Sequence, residues 1–251
     1  MRPILLASLF VLVPSTVLAD DSLVGQPAPD FAGARIFHED GKRKLSDYKG
    51  EVVLVVFFCT ICKTQWIEGP VEGLMEKYGA RGLAVLGYLG GETEINDQTA
   101  GKAREYVREM DFAVFFGADL SAPGTVEPFQ AYRAGKRPHC FLINADGNVA
   151  WSGTPGTVSI PEPEIEKLLA ARAAGIASRH PDAPGALLEA LRAGRTAKAY
   201  ELAMRAGLEP LAAELGGGAR KRLARANALH EARDYAAALA IYQTLASSWR
   251  D

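Results

Sequence analysis

This sequence of 251 residues has few cysteines, a small net charge and few long apolar runs. Three cysteines are too few for a fold held together by disulfides, because small secreted domains of that kind carry many more. A formal net charge of −2 argues against a nucleic-acid-binding protein. Beyond the N-terminus, no stretch approaches the ~18–20 apolar residues that a membrane-spanning helix needs. We therefore expect the few cysteines to serve chemistry rather than architecture.

Residues 1–19 have the pattern of a secretory signal peptide. Arg2 supplies a positive charge, residues 4–13 form a short apolar core, and a small residue, Ala19, precedes Asp20. An uncleaved membrane anchor is the alternative. The pattern predicts export to the periplasm or another extracytoplasmic compartment, with no stable membrane span after cleavage. The mature chain of about 230 residues is long enough for one full domain and a smaller one.

The region from residue 20 to residue 175 alternates strand-like and helix-like segments. Continuous apolar runs are typical of parallel strands buried on both faces, apolar spacings of three and four predict helices, and Asp146-Gly147 predicts a hairpin turn. The predicted strands are 51–58, 83–89, 112–117, 140–144 and 148–153, and the predicted helices are 63–78, 103–110, 126–132 and one that begins near Pro163. This order predicts an α/β fold in which helices cover a sheet.

From residue 176 onward the chain is rich in Ala, Leu, Arg and Glu and has no β-branched run. A Gly- and Pro-containing stretch at 175–185 marks the predicted boundary between a domain at 20–175 and an all-α region at 176–251. Segments 190–204 and 228–242 are weakly similar and resemble tetratricopeptide-type helical hairpins, with an ordinary Ala-rich bundle as the alternative. We expect this helical tail to recruit or orient a protein partner.

Cys59 and Cys62 form a Cys-x-x-Cys pair directly after the apolar run 51–58. A pair with this spacing binds a metal, carries a redox-active disulfide or forms an inert staple. The residues of the pair alone leave these three alternatives open.

Three segments resemble the TlpA-like and AhpC/TSA-type redoxins of the thioredoxin superfamily. They read VGQPAPDF at 24–31, DYKGEVVLVVFFCTIC at 47–62 and KRPHCFLINADGNVAWSG at 136–153. The resemblance implies a thioredoxin-like fold, a mixed sheet flanked by helices, over about residues 22–175. It also implies that Cys59 is the nucleophile, that Cys62 is the resolving thiol, and that Pro138 is a cis-proline facing them.

The sequence departs from the family pattern at the start of the cysteine pair. Phe58 runs directly into Cys59, whereas the family has a short loop there. Alignment from the strand side therefore places Cys62 at the nucleophile position and Gln65 at the resolving one. Alignment from the helix side keeps Cys59 and Cys62 as the pair, and we prefer it. The family often has Glu where Gln65 stands, and an amide cannot exchange protons as a carboxylate does.

The resemblance implies an exported thiol–disulfide oxidoreductase that reduces or exchanges disulfides in envelope proteins, without a cofactor. Its partners would be disulfide-containing or thiol proteins and an upstream electron donor, not nucleic acid. The first alternative is a copper-binding metallochaperone with Cys59, Cys62 and His139 as ligands, since soft thiolates select Cu(I).

Two observations limit these alternatives. Strand alternation places His139 and Cys140 on opposite faces, so we expect Cys140 to be a buried free thiol outside the site. A peroxiredoxin-type peroxidase is a further alternative, but its Pro-x-x-x-Thr/Ser-x-x-Cys signature is absent before both Cys59 and Cys62.

Overall fold

The computed structural model describes residues 23–31, 35–36, 44–58, 68–89, 113–116, 128–134, 138–154, 160–233 and 235–248. In chain order the elements are β1 (Arg35–Ile36), a first 3₁₀ turn (Leu45–Tyr48), β2 (Val52–Phe58), α1 (Glu68–Tyr78), a second 3₁₀ turn (Gly79–Arg81), β3 (Leu83–Leu89), β4 (Ala113–Phe116), α2 (Pro128–Ala131), β5 (His139–Ile143), β6 (Val149–Gly153), α3 (Glu162–Arg179), α4 (Gly185–Arg192), α5 (Thr196–Arg205), α6 (Glu209–Glu231) and α7 (Tyr235–Ser248).

The six described strands form one mixed sheet in the order β1-β4-β3-β2-β5-β6. Strands β2, β3 and β4 are parallel to one another, and β1, β5 and β6 each run antiparallel to their neighbours. Helices α1 and α3 cover one face. This arrangement confirms the predicted α/β class with a thioredoxin-like sheet, followed by a helical region.

Strand β2 is the centre of the core, and all seven of its side chains are buried. Because side chains alternate across a strand, Val52, Leu54, Val56 and Phe58 face one apolar cluster, while Val53, Val55 and Phe57 face another. The first cluster includes residues of α1 and α3, and the second is rich in aromatic rings. Cover on both faces explains why this segment reads as a continuous apolar run.

The described strands β2 to β6 lie where the sequence predicts them, within one or two residues at each end. The Asp146-Gly147 turn joins β5 to β6, and Gly147 has a φ of +91°. The predicted helix at 103–110 and the first residues of the helix predicted at 63–78 lie outside the described part of the chain.

Two short elements near the N-terminus were not predicted. Strand β1 has two residues, which is too short to show a periodic pattern. The first 3₁₀ turn is held by Asp30, whose Oδ1 accepts a hydrogen bond from Leu45 N at 2.6 Å and whose Oδ2 accepts one from Ser46 Oγ at 2.7 Å. This capping interaction spans fifteen residues and leaves no local signal in the sequence.

Helix α3 belongs to two cores. Ile165, Leu168 and Leu169 near its start pack into the sheet cluster, as their spacing predicts. Ile176, one turn before its end, is fully buried in a separate cluster with residues of α4, α5 and α6. The helix therefore runs without a break from the sheet into the tail.

The tail consists of α4 to α7. Each of the two weakly similar segments spans a tight connection between helices, with Gly194 at φ +71° in one and Arg233 at φ +64° in the other. The tail is thus built from helical hairpins, and its similarity to tetratricopeptide units stays a prediction.

Candidate active site

Strand β2 ends at Phe58, so Cys59 is the first residue beyond a fully buried strand. Residues 59–67, which include Cys62 and Gln65, lie outside the described part of the chain. The structure describes the strand that precedes this segment, β2, and the helix that follows it, α1. It also describes β5, which pairs with β2, and the aromatic cluster against both strands.

The register between β2 and β5 brings two distant segments together. The strands are antiparallel, and Phe57 pairs with His139. One step further in the same register places Pro138 beside Phe58, and Cys59 follows Phe58 in the chain. The register therefore brings Pro138 to the end of β2, the strand that precedes the predicted nucleophile in the sequence. The peptide bond before Pro138 involves Arg137, which lies outside the described residues.

His139 and Cys140 point to opposite faces, as strand alternation predicts. The ring of His139 stacks on Phe141 with centroids 4.7 Å apart and planes at 11°. Burial lowers the pKa of His139, so the imidazole is neutral at neutral pH. Its Nδ1 and Nε2 are both buried and have no hydrogen-bond partner among the described residues.

Cys140 is fully buried in the cluster shared by β2, α1 and α3. Burial raises the pKa of its thiol to about 12, because a thiolate is poorly solvated among apolar side chains. At neutral pH this thiol is protonated, whereas the thiolate is the form that acts as a nucleophile and as a metal ligand. This agrees with the expectation that Cys140 is a buried free thiol.

An aromatic cluster centred on Phe57 supports the start of β5. Phe57 lies 4.9 Å from Tyr132, 5.0 Å from Phe129 and 5.7 Å from Phe141, measured between ring centroids. The Tyr132 hydroxyl donates to the carbonyl oxygen of Pro29 at 2.7 Å. Sequence reasoning missed the roles of Phe129 and Tyr132, since they come from a separate segment and have no periodic pattern around them.

Helix α1 follows the cysteine segment and packs on the sheet through Val71, Leu74, Met75 and Tyr78. At its end the Tyr78 hydroxyl donates to Glu162 Oε2 at 2.7 Å, and Lys77 pairs with the same carboxylate. The hydrogen bonds from Lys77 and Tyr78 lower the pKa of Glu162. These contacts fix the C-terminal end of α1 to the start of α3.

Within the described ranges, no three His, Cys, Asp or Glu side chains converge on a possible metal position. The helices seen there include none with the length and apolar character needed to cross a membrane. Because Cys59 and Cys62 lie outside those ranges, the three-ligand copper site stays a prediction.

A protein-family model described as the AhpC/TSA family matches residues 24–152. The thiol-disulfide oxidoreductase ResA of Geobacillus thermodenitrificans is 29% identical over 160 residues, covering 59% of this chain and 83% of that protein.

Among solved structures, a thioredoxin-like superfamily protein, SPOA0173, gives a TM-score of 0.47 at 21% identity, over 57% of this chain and 96% of that one. The thioredoxin domain of a thiol-disulfide oxidoreductase from Bacteroides vulgatus gives a TM-score of 0.42 at 20% identity, over 58% of this chain and 97% of that one. The family match includes β2, β5 and most of β6, and it ends before α3 begins.

Proposed function

This chain belongs to the AhpC/TSA family, and from that premise we propose that it is a thiol–disulfide oxidoreductase whose redox pair is Cys59 and Cys62. The similarity to ResA, a thiol-disulfide oxidoreductase by name, supports this reaction over the other chemistries of a Cys-x-x-Cys pair. The proposal includes export, because residues 1–19 have the pattern of a signal peptide.

One observation carries the proposal, namely the pairing of Phe57 with His139. It brings the Pro138 segment to the strand end that precedes Cys59, although the two segments are about eighty residues apart in the sequence. A disulfide substrate needs a reactive thiol and an adjacent backbone surface against which to align. The register supports this arrangement, because it brings Pro138 to the end of the strand from which the chain continues to Cys59.

The reaction proceeds by two exchange steps. The Cys59 thiolate attacks one sulfur of the substrate disulfide, forming a mixed disulfide and releasing the other substrate sulfur as a thiolate. The Cys62 thiolate then attacks Cys59 sulfur, which closes the Cys59–Cys62 disulfide and releases the second substrate thiolate. Both substrate thiolates take up protons from the medium. The substrate gains two electrons, and an upstream dithiol donor returns the protein to its reduced form.

The test uses the full mature chain with three single substitutions, Cys59→Ser, Cys62→Ser and Cys140→Ala. Without added metal, we expect two thiols to appear on treatment of the oxidised wild-type protein with dithiothreitol. Cys62→Ser should accumulate a mixed disulfide with substrate, because the resolving thiol is missing. Cys140→Ala is the matched control and should exchange disulfides like the wild-type protein.

Three outcomes would change the assignment. If Cys59→Ser is the variant that traps substrate, the roles of the two cysteines are reversed. A wild-type protein that exchanges no disulfide with either a small synthetic disulfide or a disulfide-containing protein would overturn the proposed function. Consumption of hydrogen peroxide at the expense of dithiothreitol would instead support the peroxidase alternative.

A specific observation keeps copper binding as the second candidate. His139 lies directly after Pro138, and both of its buried ring nitrogens lack a partner among the described residues. A neutral imidazole with a free nitrogen is a suitable copper ligand. Anaerobic titration of the reduced protein with Cu(I) decides the case: tight binding that weakens in both Cys59→Ser and His139→Asn supports a carrier. Binding unchanged by His139→Asn removes His139 from the ligand set.

We further propose that the tail contacts the protein substrate. Leu223, Tyr235 and Leu239 of α6 and α7 are large apolar side chains that are 45–57% exposed. Helix α7 contacts α1, the helix that follows the cysteine pair. Tyr235→Ser with Leu239→Ser should slow reduction of a protein disulfide and leave reduction of a small synthetic disulfide unchanged. Equal rates on both substrates would contradict this part of the proposal.

A further inference from the structure

The turn that follows α2 contains an arginine in a backbone conformation that favours glycine. Arg133 has a φ of +53°. The amide of Ala134 donates to the carbonyl oxygen of Phe129 at 2.9 Å, and the amide of Arg133 donates to that of Gln130 at 3.0 Å. Helices commonly end with this pair of hydrogen bonds, and the left-handed position is usually a glycine. A residue with a Cβ is strained there, because its Cβ crowds the following carbonyl oxygen.

The side chain of Arg133 is exposed, although the residues on either side of it are not. Tyr132 and Ala134 are 1% and 2% exposed, whereas Arg133 faces solvent. Strained residues that persist in folded proteins cluster at functional sites. An exposed arginine where glycine is unstrained therefore indicates that the charge has a use at this point of the surface.

The buried neighbours hold Arg133 near the end of β2. The ring of Tyr132 lies 4.9 Å from that of Phe57, and Ala134 belongs to the same buried cluster. Ala134 precedes Pro138 by four residues, so their Cα atoms are at most about 14 Å apart. Pro138 lies at the end of β2 in the register described above. Arg133 is thus fixed close to the place where the substrate backbone is proposed to align.

The charge of this part of the sequence has one sign. From Pro128 to Ala145 the sequence contains Arg133, Lys136 and Arg137 and no Asp or Glu. Lys136 and Arg137 lie outside the described residues, and they add to the net charge of the segment. Because the whole chain has a formal net charge of −2, this positive segment is a local feature. Charges across an interface favour a partner of opposite sign and disfavour one of like sign.

We propose that Arg133 is a specificity-determining residue, which favours disulfide substrates that carry acidic side chains next to the reacting cysteine; this inference rests on the function proposed above. A carboxylate of the substrate pairs with the guanidinium while the substrate backbone lies along Pro138. An exposed ion pair of this kind contributes modestly to binding, and salt weakens it. A substrate with a lysine beside its cysteine is disfavoured by the same charge.

The experiment uses two short synthetic disulfide peptides that differ only beside the cysteine, with glutamate in one and glutamine in the other. The full mature chain reduces each peptide at low ionic strength, and the measured quantity is the ratio of the two kcat/KM values. Flanking acids also change the reactivity of the peptide itself. The decisive quantity is therefore the change in this ratio between the wild-type protein and each variant.

The variants separate the charge of Arg133 from its backbone strain. Arg133→Gln removes the charge and keeps the strain, Arg133→Lys keeps both, and Arg133→Gly removes both. Arg233→Gly is the matched control, because Arg233 is also exposed and has a φ of +64°. Its amide donates to the carbonyl oxygen of His230 at 3.0 Å, and it lies in the tail, in the turn between α6 and α7.

We expect the ratio to fall about threefold in Arg133→Gln and in Arg133→Gly, mainly through a higher KM for the acidic peptide. Arg133→Lys should keep most of the ratio, and Arg233→Gly should keep all of it. Added salt should lower the ratio of the wild-type protein and change that of Arg133→Gln little. Arg133→Gly and Arg233→Gly should both unfold at a higher urea concentration than the wild-type protein, since glycine removes the strain.

An unchanged ratio in Arg133→Gln would overturn the inference. An equal fall in Arg133→Gly and Arg233→Gly would also overturn it, because it would show a response to net charge and not to position. A lower stability of Arg133→Gly would mean that the arginine is there to hold the turn, which contradicts the proposed role. If the wild-type protein reduces neither peptide, the proposed function is wrong and this inference falls with it. Reduction of both peptides with one ratio in all variants refutes only the role of Arg133.

Discussion

Arg172 in α3 donates a hydrogen bond from Nε to the carbonyl oxygen of Gly50, at a distance of 2.7 Å. The side chain is 8% exposed, and burial lowers the pKa of its guanidinium, against the opposing effects of Glu214 and Glu51. Gly50 lies two residues before β2. This single contact therefore ties the helix that enters the tail to the strand that leads to Cys59.

The Arg172 contact predicts that two substitutions lower the free energy of unfolding by different amounts. Arg172→Met keeps most of the volume and leaves the Gly50 carbonyl without this donor, so we expect the free energy of unfolding to fall by about 1–2 kcal/mol. Arg172→Ala also opens a cavity and should cost about 2–4 kcal/mol. Urea-induced unfolding of the two variants measures both. If Arg172→Met is as stable as the wild-type protein, the hydrogen bond contributes nothing net.

Substitution by alanine should have opposite effects on stability at Gly73 and at Gly82. Gly73 lies in α1, and no other described side chain or distant backbone atom is within 4 Å of its Cβ position. Gly73→Ala should therefore raise the free energy of unfolding by about 0.5–1 kcal/mol, because alanine is the better helix former. Gly82→Ala should lower it by about 2 kcal/mol or more. At position 82, φ is +105° and a Cβ would lie 2.7 Å from Arg172 Nη1. Destabilisation by Gly73→Ala, seen in thermal or urea unfolding, would mean that this face of α1 is packed.

The buried thiol of Cys140 predicts a pH dependence of stability. Its folded pKa of about 12 lies above the value of 9.0 that an exposed thiol has. Below that exposed value the thiol is neutral in both states. As the pH rises from about 9 towards 12, the unfolded chain loses this proton first, so the stability should fall. Cys140→Ala should remove this part of the decline when urea unfolding is compared at pH 8 and pH 10. Identical pH dependences in the two proteins would contradict the buried, neutral thiol.

The carboxylates of α3 predict a loss of stability in acid. Hydrogen bonds from Lys77 and Tyr78 lower the pKa of Glu162, and a hydrogen bond from Arg81 lowers that of Glu166. The stability that each lowered pKa provides is fully present above the pKa of the carboxyl in the unfolded chain, about 4.5. It is lost as the pH falls from there through the lower pKa of the folded protein.

Glu162→Gln should therefore make the decline between pH 5 and pH 3 shallower, as measured by thermal unfolding across that range. Glu164→Gln is the matched control, because Glu164 pairs with Lys167 of its own helix. An equally shallow decline in the control would show that the contacts of Glu162 with α1 are not the cause.

Local patterns in the sequence predicted most of the sheet. Strands β2 and β3 appear in the sequence as continuous apolar runs because both of their faces are covered. Asp146-Gly147 predicted the β5–β6 hairpin because a tight turn needs a residue with positive φ. Strand β1 and the Asp30 cap had no such signal. The separation of His139 from Cys140 also followed from the sequence alone, since strand alternation has a fixed period of two.

Other relationships were decided by the tertiary structure. The pairing of Phe57 with His139 depends on which strands become neighbours and in what register, and no pattern within either strand specifies its partner. The approach of Gly194 to Arg81 brings together two turns that are more than a hundred residues apart in the sequence. The sequence shows that a glycine is present in a turn, but it does not show whether a distant side chain packs against that glycine. The sequence by itself determined most strands of the sheet and the position of the Cys-x-x-Cys pair directly after β2, because propensity, period and residue type are local. The meeting of Pro138 with the end of β2 and the contacts between the tail and α1 were decided only by folding, because contacts between distant segments arise from the packing of the whole chain.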